Sequence, residues 1–314
     1  MIPAVVMAAS LGRPRILWRA MRAFVVVNPA AGGGRTAGLW PSLRERFEAA
    51  GIEIVARTTG GPGDAIAIAR GAVDDGWPLV VAVGGDGTVN EVVTGVMAAG
   101  NTDAAVGIVA TGRGRDVCRN LGLARDPVAA VGRLGSGDDV RVDAGVLTRG
   151  DGRTHYFINA AGIGFDAAVA ARTAQTRGGR LPYLRATVAA LAAHDPVTLT
   201  LGLDGRSRTK RVTAVMIANG AHIGGGMNVA PGADPTDGRL DVVVIGAKSR
   251  AGLLAWLPTL YWGGHVRSKD VTVTRASTVT IDATPPAPVH VDGEPLGTTP
   301  VTISIRPRAL RVRR

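Results

Sequence analysis

A single cysteine, Cys118, serves the whole 314-residue chain. One thiol excludes a disulfide framework and a four-cysteine zinc site, and it suits a reducing compartment. Aromatic residues make up only 4%, which argues against nucleic-acid modules that read bases by stacking. No run reaches the ~18 uninterrupted apolar residues of a membrane-spanning helix. Internal repeats and low-complexity segments are missing too. Residues 1–20 lack the order of a secretory signal, because their apolar part precedes the basic residues. With Met21 two residues before the first strand, they read as a dispensable, disordered extension. These absences point to the cytoplasm. The five histidines, His155, His194, His222, His265 and His290, lack metal-ligand spacing and read as core or solvated groups.

Acidic residues are absent from both ends. The net charge is +11, yet residues 23–300 are nearly neutral. Residues 1–22 carry four arginines and residues 301–314 carry five, with no acid in either stretch. Basic ends suit the anionic inner surface of a membrane, or they are solvated tails. A neutral, aromatic-poor body gives no case for a nucleic-acid partner.

What is present is glycine and short apolar runs. Hydrophobic residues at 46% and 44 glycines suit a globular α/β protein, and the length suits two domains. The chain is organised around residues 78–100. Residues 79–83 form an apolar, β-branched run, as a buried parallel strand would. Gly84, Gly85, Asp86, Gly87 and Thr88 make a glycine-rich turn, and residues 90–97 have helical apolar spacing. Strand, glycine turn and helix together form an anion site: backbone N–H groups approach closely and the helix N-terminus is partly positive. Asp86 would repel a bare phosphate, so it should face a metal ion or a proton to be removed. The bland alternative is a tight β–α connection, but the following Asn90 and Glu91 make the pattern stronger than a lone glycine pair.

Three more units flank it. Residues 23–27 are a strand, followed by the loop Asn28, Pro29, Ala30, Ala31, Gly32, Gly33, Gly34, Arg35 and a helix near Ala37. Residues 52–56 are a strand ending near Thr58 and Thr59, either of which caps the next helix or meets a ligand. Ala105–Ala110 is a strand leading into Thr111, Gly112, Arg113, Gly114, Arg115 and Asp116, then a short helix that buries Cys118 as an inert thiol. Four strands alternating with helices predict a doubly wound parallel sheet over residues 21–138, with the site at the carboxyl edge of the strands. Residues 139–314 read as a mostly antiparallel β-sandwich domain, with strands over 140–147, 155–160, 197–203, 212–219, 240–245, 271–274, 278–283, 289–291 and 301–306. Helices are expected over 167–173, 181–193 and 251–261. Asp292-Gly293 reads as a hairpin turn. The C-terminal end is able to return to the first domain, and exposed strand edges would allow a homodimer.

In this order and spacing, NPAAGGGR at 28–35, GGDGTVNE at 84–91, GRD at 114–116, NAAGIGFDA at 159–167, GGGMNVAPGADPTDGRLDV at 224–242 and VDGE at 291–294 form a pattern. The chain resembles the bacterial diacylglycerol kinase-like lipid kinases, relatives of sphingosine and ceramide kinases, from about residue 23 to residue 297. The resemblance implies an α/β nucleotide domain, a β-rich domain and an active site in the cleft between them. It implies ATP and Mg²⁺ as cofactors, a lipid hydroxyl such as that of diacylglycerol as acceptor, and transient contact with a membrane surface. By the same resemblance Asn28 to Gly32 and Thr59 would contact ATP, and Gly84 to Asn90, including Val89, would cradle its phosphates. Glu294 would be the general base, and Asp86 and Asp116 would hold the catalytic Mg²⁺ and its waters. Asp237, with carbonyls near Asp234 and Arg239, would hold a second, structural Mg²⁺, although an Asp-Gly turn needs no metal. The family's third loop carries Thr and Asn where this chain has Arg113 and Arg115. These arginines can bind phosphate, fill the pocket, or pair with Asp116. Two other readings follow from the same motifs: a non-catalytic lipid- or nucleotide-binding relative, and an NAD kinase, which shares the GGDGT loop.

Overall fold

The computed structural model describes residues 21–100, 103–174, 189–190 and 195–314. The N-terminal extension and nearly all of the helix expected over 181–193 lie outside the described residues.

Four strands, β1 (Met21–Val27), β2 (Ile52–Thr58), β3 (Leu79–Gly84) and β4 (Ala105–Ala110), pair in parallel in the order β4-β3-β1-β2. Alternate residues feed two cores, as strand geometry requires. Val25, Val27, Val81 and Val83 pack with Leu43 and Phe47 of α1 (Arg35–Ala49). Phe24, Val26, Val80 and Ala82 pack with α2 (Asp64–Asp74) and α3 (Asp86–Ala98), through Ala69, Val92 and Val96. The short α4 (Asp116–Asn120) follows β4, and α5 (Pro127–Ser136) packs on the first core through Ala130, Val131 and Leu134. The sequence reading missed α5, although Asp126 caps it through the Ala129 N–H (2.9 Å) and Pro127 opens it. It also placed the start of α3 four residues too late: only Gly85 separates strand from helix, so Thr88, Val89 and Asn90 are buried inside the first turns.

The second half contains β5 (Asp139–Arg149), β6 (Thr154–Phe157), β7 (Ala160–Gly164), α6 (Phe165–Ala174), β8 (Val197–Leu203), β9 (Arg206–Ala218), β10 (His222–Ile223), β11 (Met227–Asn228) and β12 (Leu240–Gly246). Then come α7 (Arg250–Trp256), two 3₁₀ turns (Leu257–Trp262 and Gly264–Arg267), β13 (Val271–Ala276), β14 (Thr278–Ala283), β15 (Pro288–Val291), β16 (Glu294–Thr298) and β17 (Val301–Arg313). The pairings are antiparallel, and a sandwich core forms from Val215, Ile217, Val242, Val279, Ile281 and Ile303. The opposite face of β9 and β12, with Ala214, Met216, Val243 and Ile245, packs against α6 and α7 through Val169 and Leu253. The strand expected over 155–160 is two strands, because the chain breaks at Ile158 and Asn159 before β7.

β17 is seven residues longer than expected and joins the halves. Val301–Ile305 pairs with β5, and Val301–Ser304 also pairs with β14. After a break at Arg306–Leu310, Arg311–Arg313 lies parallel to β4. The buried Asp143 carboxylate holds the break by accepting the N–H groups of Arg308 (2.6 Å) and Gly238 (2.7 Å). The basic C-terminal end is therefore a paired strand and not a solvated tail. Arg311 and Arg313 both pair with Asp139, and the Arg306 guanidinium stands 5.6 Å from the centre of the Tyr156 ring. Three of the five terminal arginines are thereby engaged within the fold.

Leu310 is fully enclosed at this junction. Leu310→Ala is expected to lower unfolding free energy by about 2–4 kcal/mol, the range for a buried leucine leaving a cavity. Urea denaturation followed by circular dichroism measures it; an unchanged midpoint would mean that the end of β17 carries no stability.

Candidate active site

The three glycine loops meet at the carboxyl ends of β1, β3 and β4. Asn28 Nδ2 donates to Thr88 Oγ1 (2.9 Å), while its Oδ1 accepts the Ala30 N–H (3.1 Å). Thr36 and Thr111 share a buried hydroxyl contact of 2.6 Å, tying the first loop to the third. The second and third loops touch backbone to backbone: a methyl on Gly112 would come 2.8 Å from the Gly85 Cα. Thr59 is buried at the end of β2, with its N–H on Val27 O (2.9 Å). Among the described residues the N–H groups of Gly32, Gly33 and Gly85 donate to no protein acceptor. Arg35 and Arg113 are exposed beside them without an ion-pair partner among the described residues. Unused N–H groups, the α3 N-terminus and two cations form an anion cradle. The expected contact residues are therefore gathered here, but with divided tasks. Asn28 and Thr88 brace the loops with their side chains, and Asn90 is turned away to the β domain.

Asp86 sits at the first position of α3 and points at the third loop. Its carboxylate accepts N–H groups of Arg115 (2.8 Å), Asp116 (3.0 Å) and Val117 (3.5 Å), which fixes the start of α4. Asp116 in turn accepts the Gly225 N–H (2.6 Å) and pairs with Arg119 (2.6 Å). Arg115, in a left-handed conformation with φ 56°, directs its guanidinium to the carbonyls of Gly112 (3.0 Å) and Arg125 (2.7 Å). The partner of Asp116 is Arg119, a residue the sequence reading did not weigh. Burial raises the pKa of both aspartates; for Asp86 the adjacent Asp116 charge adds to it, while the N–H donors oppose it. Two adjacent carboxylates whose ionised forms are costly here, and which keep unused lone pairs, fit a divalent cation.

At the turn expected to hold a structural metal, the carboxylates have protein partners. Asp234 accepts the Thr236 N–H (2.9 Å) and hydroxyl (2.7 Å), and Asp237 accepts the Arg239 N–H (2.9 Å). Arg275 stands between Asp237 (3.5 Å) and Asp241 (3.6 Å) and supplies the positive charge there.

The VDGE turn between β15 and β16 completes the site. Asp292, φ 47°, accepts four N–H donors: Asn90 Nδ2 (2.9 Å), Ile158 N (3.3 Å), Asn159 N (3.2 Å) and Ala160 N (2.9 Å). Burial pushes its pKa up to about 6 against these donors. Glu294 follows on the rim, where a methyl on Gly87 would lie 3.1 Å from its Oε1, so the carboxylate rests against the glycine turn. Although the residue is exposed overall, lost hydration around its carboxylate, then the charges of Glu91 and Asp292, push its pKa up to about 7. Glu91 is held by the Gly63 (3.0 Å) and Ala65 (3.2 Å) N–H groups at the start of α2.

A cavity of about 270 Å³ opens beside this turn. Its polar end holds Asp86, Asp116, Asp166, His290 and Asp292; Phe165, Met216, Leu253, Trp256 and Leu260 are among its apolar walls. His290 Nδ1 accepts the Gly293 N–H (3.2 Å), so Nε2 carries the proton and donates it to Asp166 (3.1 Å). A methyl at Gly162 would collide with both members of this pair. In sequence, Asp292 reads as a turn residue and His290 as a core or solvated group. Only the proximity of His290 and Asp292 to VDGE hinted at their place in the site. Cys118 is buried as expected, its thiol pushed up to about 11 by burial.

Residues 22–147 match the Diacylglycerol kinase catalytic domain, and residues 159–314 match the YegS C-terminal NAD kinase beta sandwich-like domain. The chain is 33% identical over 293 residues to a diacylglycerol kinase of Mycobacterium tuberculosis, covering 92% of this chain and 94% of that one. It is 26% identical over 286 residues to a diacylglycerol kinase of Bacillus subtilis, covering 89% and 91%. The fold matches the crystal structure of a diacylglycerol kinase from Bacillus anthracis with a TM-score of 0.72 at 20% identity, over 93% of this chain and 96% of that one. The likeness to NAD kinases is confined to the architecture of the second domain. A parallel-sheet domain with a glycine-loop cradle, an antiparallel β-sandwich domain and near full-length relatives lead to one assignment: the chain belongs to the bacterial diacylglycerol kinase-like family of lipid kinases.

Proposed function

We propose that this protein transfers the γ-phosphate of ATP to the hydroxyl of an uncharged lipid of the diacylglycerol type, at the cytoplasmic face of a membrane. The observation that carries this reading is the cavity, apolar along its walls and carboxylate-lined where it meets the glycine loops. Acyl chains suit the walls, and a hydroxyl suits the polar end at Asp292 and Gly293, next to Glu294, which rests against Gly87. Four aspartates line that end; with Asp86 and Asp116 assigned to a cation, Asp166 and Asp292 still disfavour a lipid with an anionic headgroup over a neutral one. The names of the relatives agree with this substrate class.

In the reaction the glycine N–H groups and Arg113 hold the nucleotide phosphates, and Glu294 takes the proton of the lipid hydroxyl as its oxygen attacks phosphorus. Asp86 and Asp116 would hold Mg²⁺, which neutralises charge on the transferring phosphoryl group when bound. Asp292 positions Glu294 by fixing the turn that carries it. The Asp166–His290 pair braces the same turn from the cavity side, through Gly293.

Phosphate transfer from labelled ATP to diacylglycerol in mixed micelles tests the reading, with NAD as a control acceptor. Label on the lipid supports it, and label on NAD alone, or on neither, defeats it. Glu294→Gln is expected to lower kcat by about 10²–10⁴, the usual contribution of a positioned base. The ionised carboxylate is the base, so kcat/KM should rise with pH through about 7. Glu91→Gln removes a like charge, lowers the Glu294 pKa and should move that rise to lower pH. A profile flat across neutral pH would exclude Glu294 as the titrating base. Arg113→Ala should raise KM for ATP by about tenfold, as loss of a charged phosphate contact does, with a smaller change in kcat.

A further inference from the structure

α7 and the 3₁₀ turn after it form one wall of the cavity. Leu253, Trp256, Leu257 and Leu260 face inward and line it. The outer side of the same segment is also apolar: Leu254 is 59% exposed, Tyr261 57% and Trp262 67%. These three are half of the six large hydrophobic residues exposed among the described residues, and they share one short segment. Scattered exposed apolar residues need no explanation, but a cluster on a cavity wall does.

The charge around them has one sign. From Ala247 to Lys269 the sequence carries Lys248, Arg250, Arg267 and Lys269 and no acid. Lys248 is held by Asp270 (2.8 Å) and Arg250 approaches Asp195 (3.9 Å). Arg267 and Lys269 are exposed at the end of the second 3₁₀ turn. Tryptophan and tyrosine favour the headgroup level of a bilayer, with leucine below it and cations toward anionic lipid.

We propose that the segment Arg250–Lys269, through Leu254, Tyr261, Trp262, Arg267 and Lys269, docks on a bilayer surface containing anionic lipid and sets the cavity wall against the membrane. The inference rests on the lipid-substrate reading above. It moves the membrane contact away from the C-terminal arginines, three of which the fold engages. A second copy of this chain suits the surface less well, because a two-fold contact would place this cation-rich segment against itself. Docking here places the apolar side chains that flank the cavity in the layer where the substrate resides.

Flotation with phosphatidylcholine vesicles, with and without phosphatidylglycerol, tests the proposal on the full chain. The wild type should float with the anionic vesicles. The combined variant Leu254→Ser, Tyr261→Ser, Trp262→Ser should bind them about tenfold more weakly or worse. Arg267→Glu with Lys269→Glu should lose the preference for phosphatidylglycerol, and it serves as the reading if the triple variant misfolds. Activity separates this proposal from the one it rests on. Phosphorylation of monomeric short-chain diacylglycerol should be unchanged in both variants, while phosphorylation of vesicle-embedded long-chain lipid falls with vesicle binding. Wild-type inactivity on both lipids would remove the kinase reading, whereas vesicle binding that survives in both variants would remove the docking surface. Self-association of the wild type in sedimentation equilibrium, abolished in the triple variant without any loss of flotation, would reassign the patch to a contact between copies and overturn the proposal.

Discussion

The carboxylate of Asp292 ties the two halves of the site together. It receives the side-chain amide of Asn90 from the first domain and three successive backbone N–H groups from the break between β6 and β7. Four donors around one group require an acceptor with four lone-pair positions and no proton of its own, which an ionised carboxylate supplies. Its left-handed backbone costs on the order of 1–2 kcal/mol for a residue other than glycine. Hydrogen bonds to a charged group contribute about 1.5–3 kcal/mol each, so the clamp outweighs the strain. Burial still pushes its pKa up to about 6, which leaves it ionised at neutral pH. Because Glu294 lies two residues further on, the same clamp that joins the domains sets where the base can stand.

The continuous sheet makes that placement durable. β17 runs from the sandwich into the parallel sheet, pairing with β14 at one end and β4 at the other. The strand that frames the second domain is thus also an interior strand of the first. A hinge between domains would have to break this ladder, so the cleft is built by one frame. The segment Arg250–Arg267 lies outside this frame and packs on the cavity without pairing in the sheet.

Much of this was legible in the chain because it depends on local chemistry. β-Branched runs followed by glycine loops gave the four parallel strands and the edge where the site lies. Glu294 came from the family resemblance of VDGE and not from local chemistry; in the fold it lies against Gly87. What stayed hidden were roles assigned by partners distant in sequence. Nothing near Asn90 says that its amide will meet Asp292, more than two hundred residues away. Nothing near Arg311 and Arg313 says that Asp139 will hold them, so a paired strand read as a basic tail. Asp86 looked like a ligand awaiting a metal; it is also the acceptor that anchors α4. Arg119 lay outside every motif, yet it is the partner of Asp116, one of the roles weighed for Arg113 and Arg115.

The distribution of charge across the cavity gives the proposed reaction a direction. On the cradle side are unused N–H groups, Arg35 and Arg113; the polar end of the cavity is lined by four aspartates. A triphosphate is attracted to the first side and a neutral alcohol is tolerated on the second. Transfer then leaves close to two negative charges on the lipid, facing aspartates that the substrate did not repel. In a partly desolvated cavity that repulsion is larger than it would be in water. In the proposed reaction Asp166 and Asp292, which are not assigned to Mg²⁺, would therefore both disfavour an anionic lipid before transfer and weaken the hold on the phosphorylated one after it.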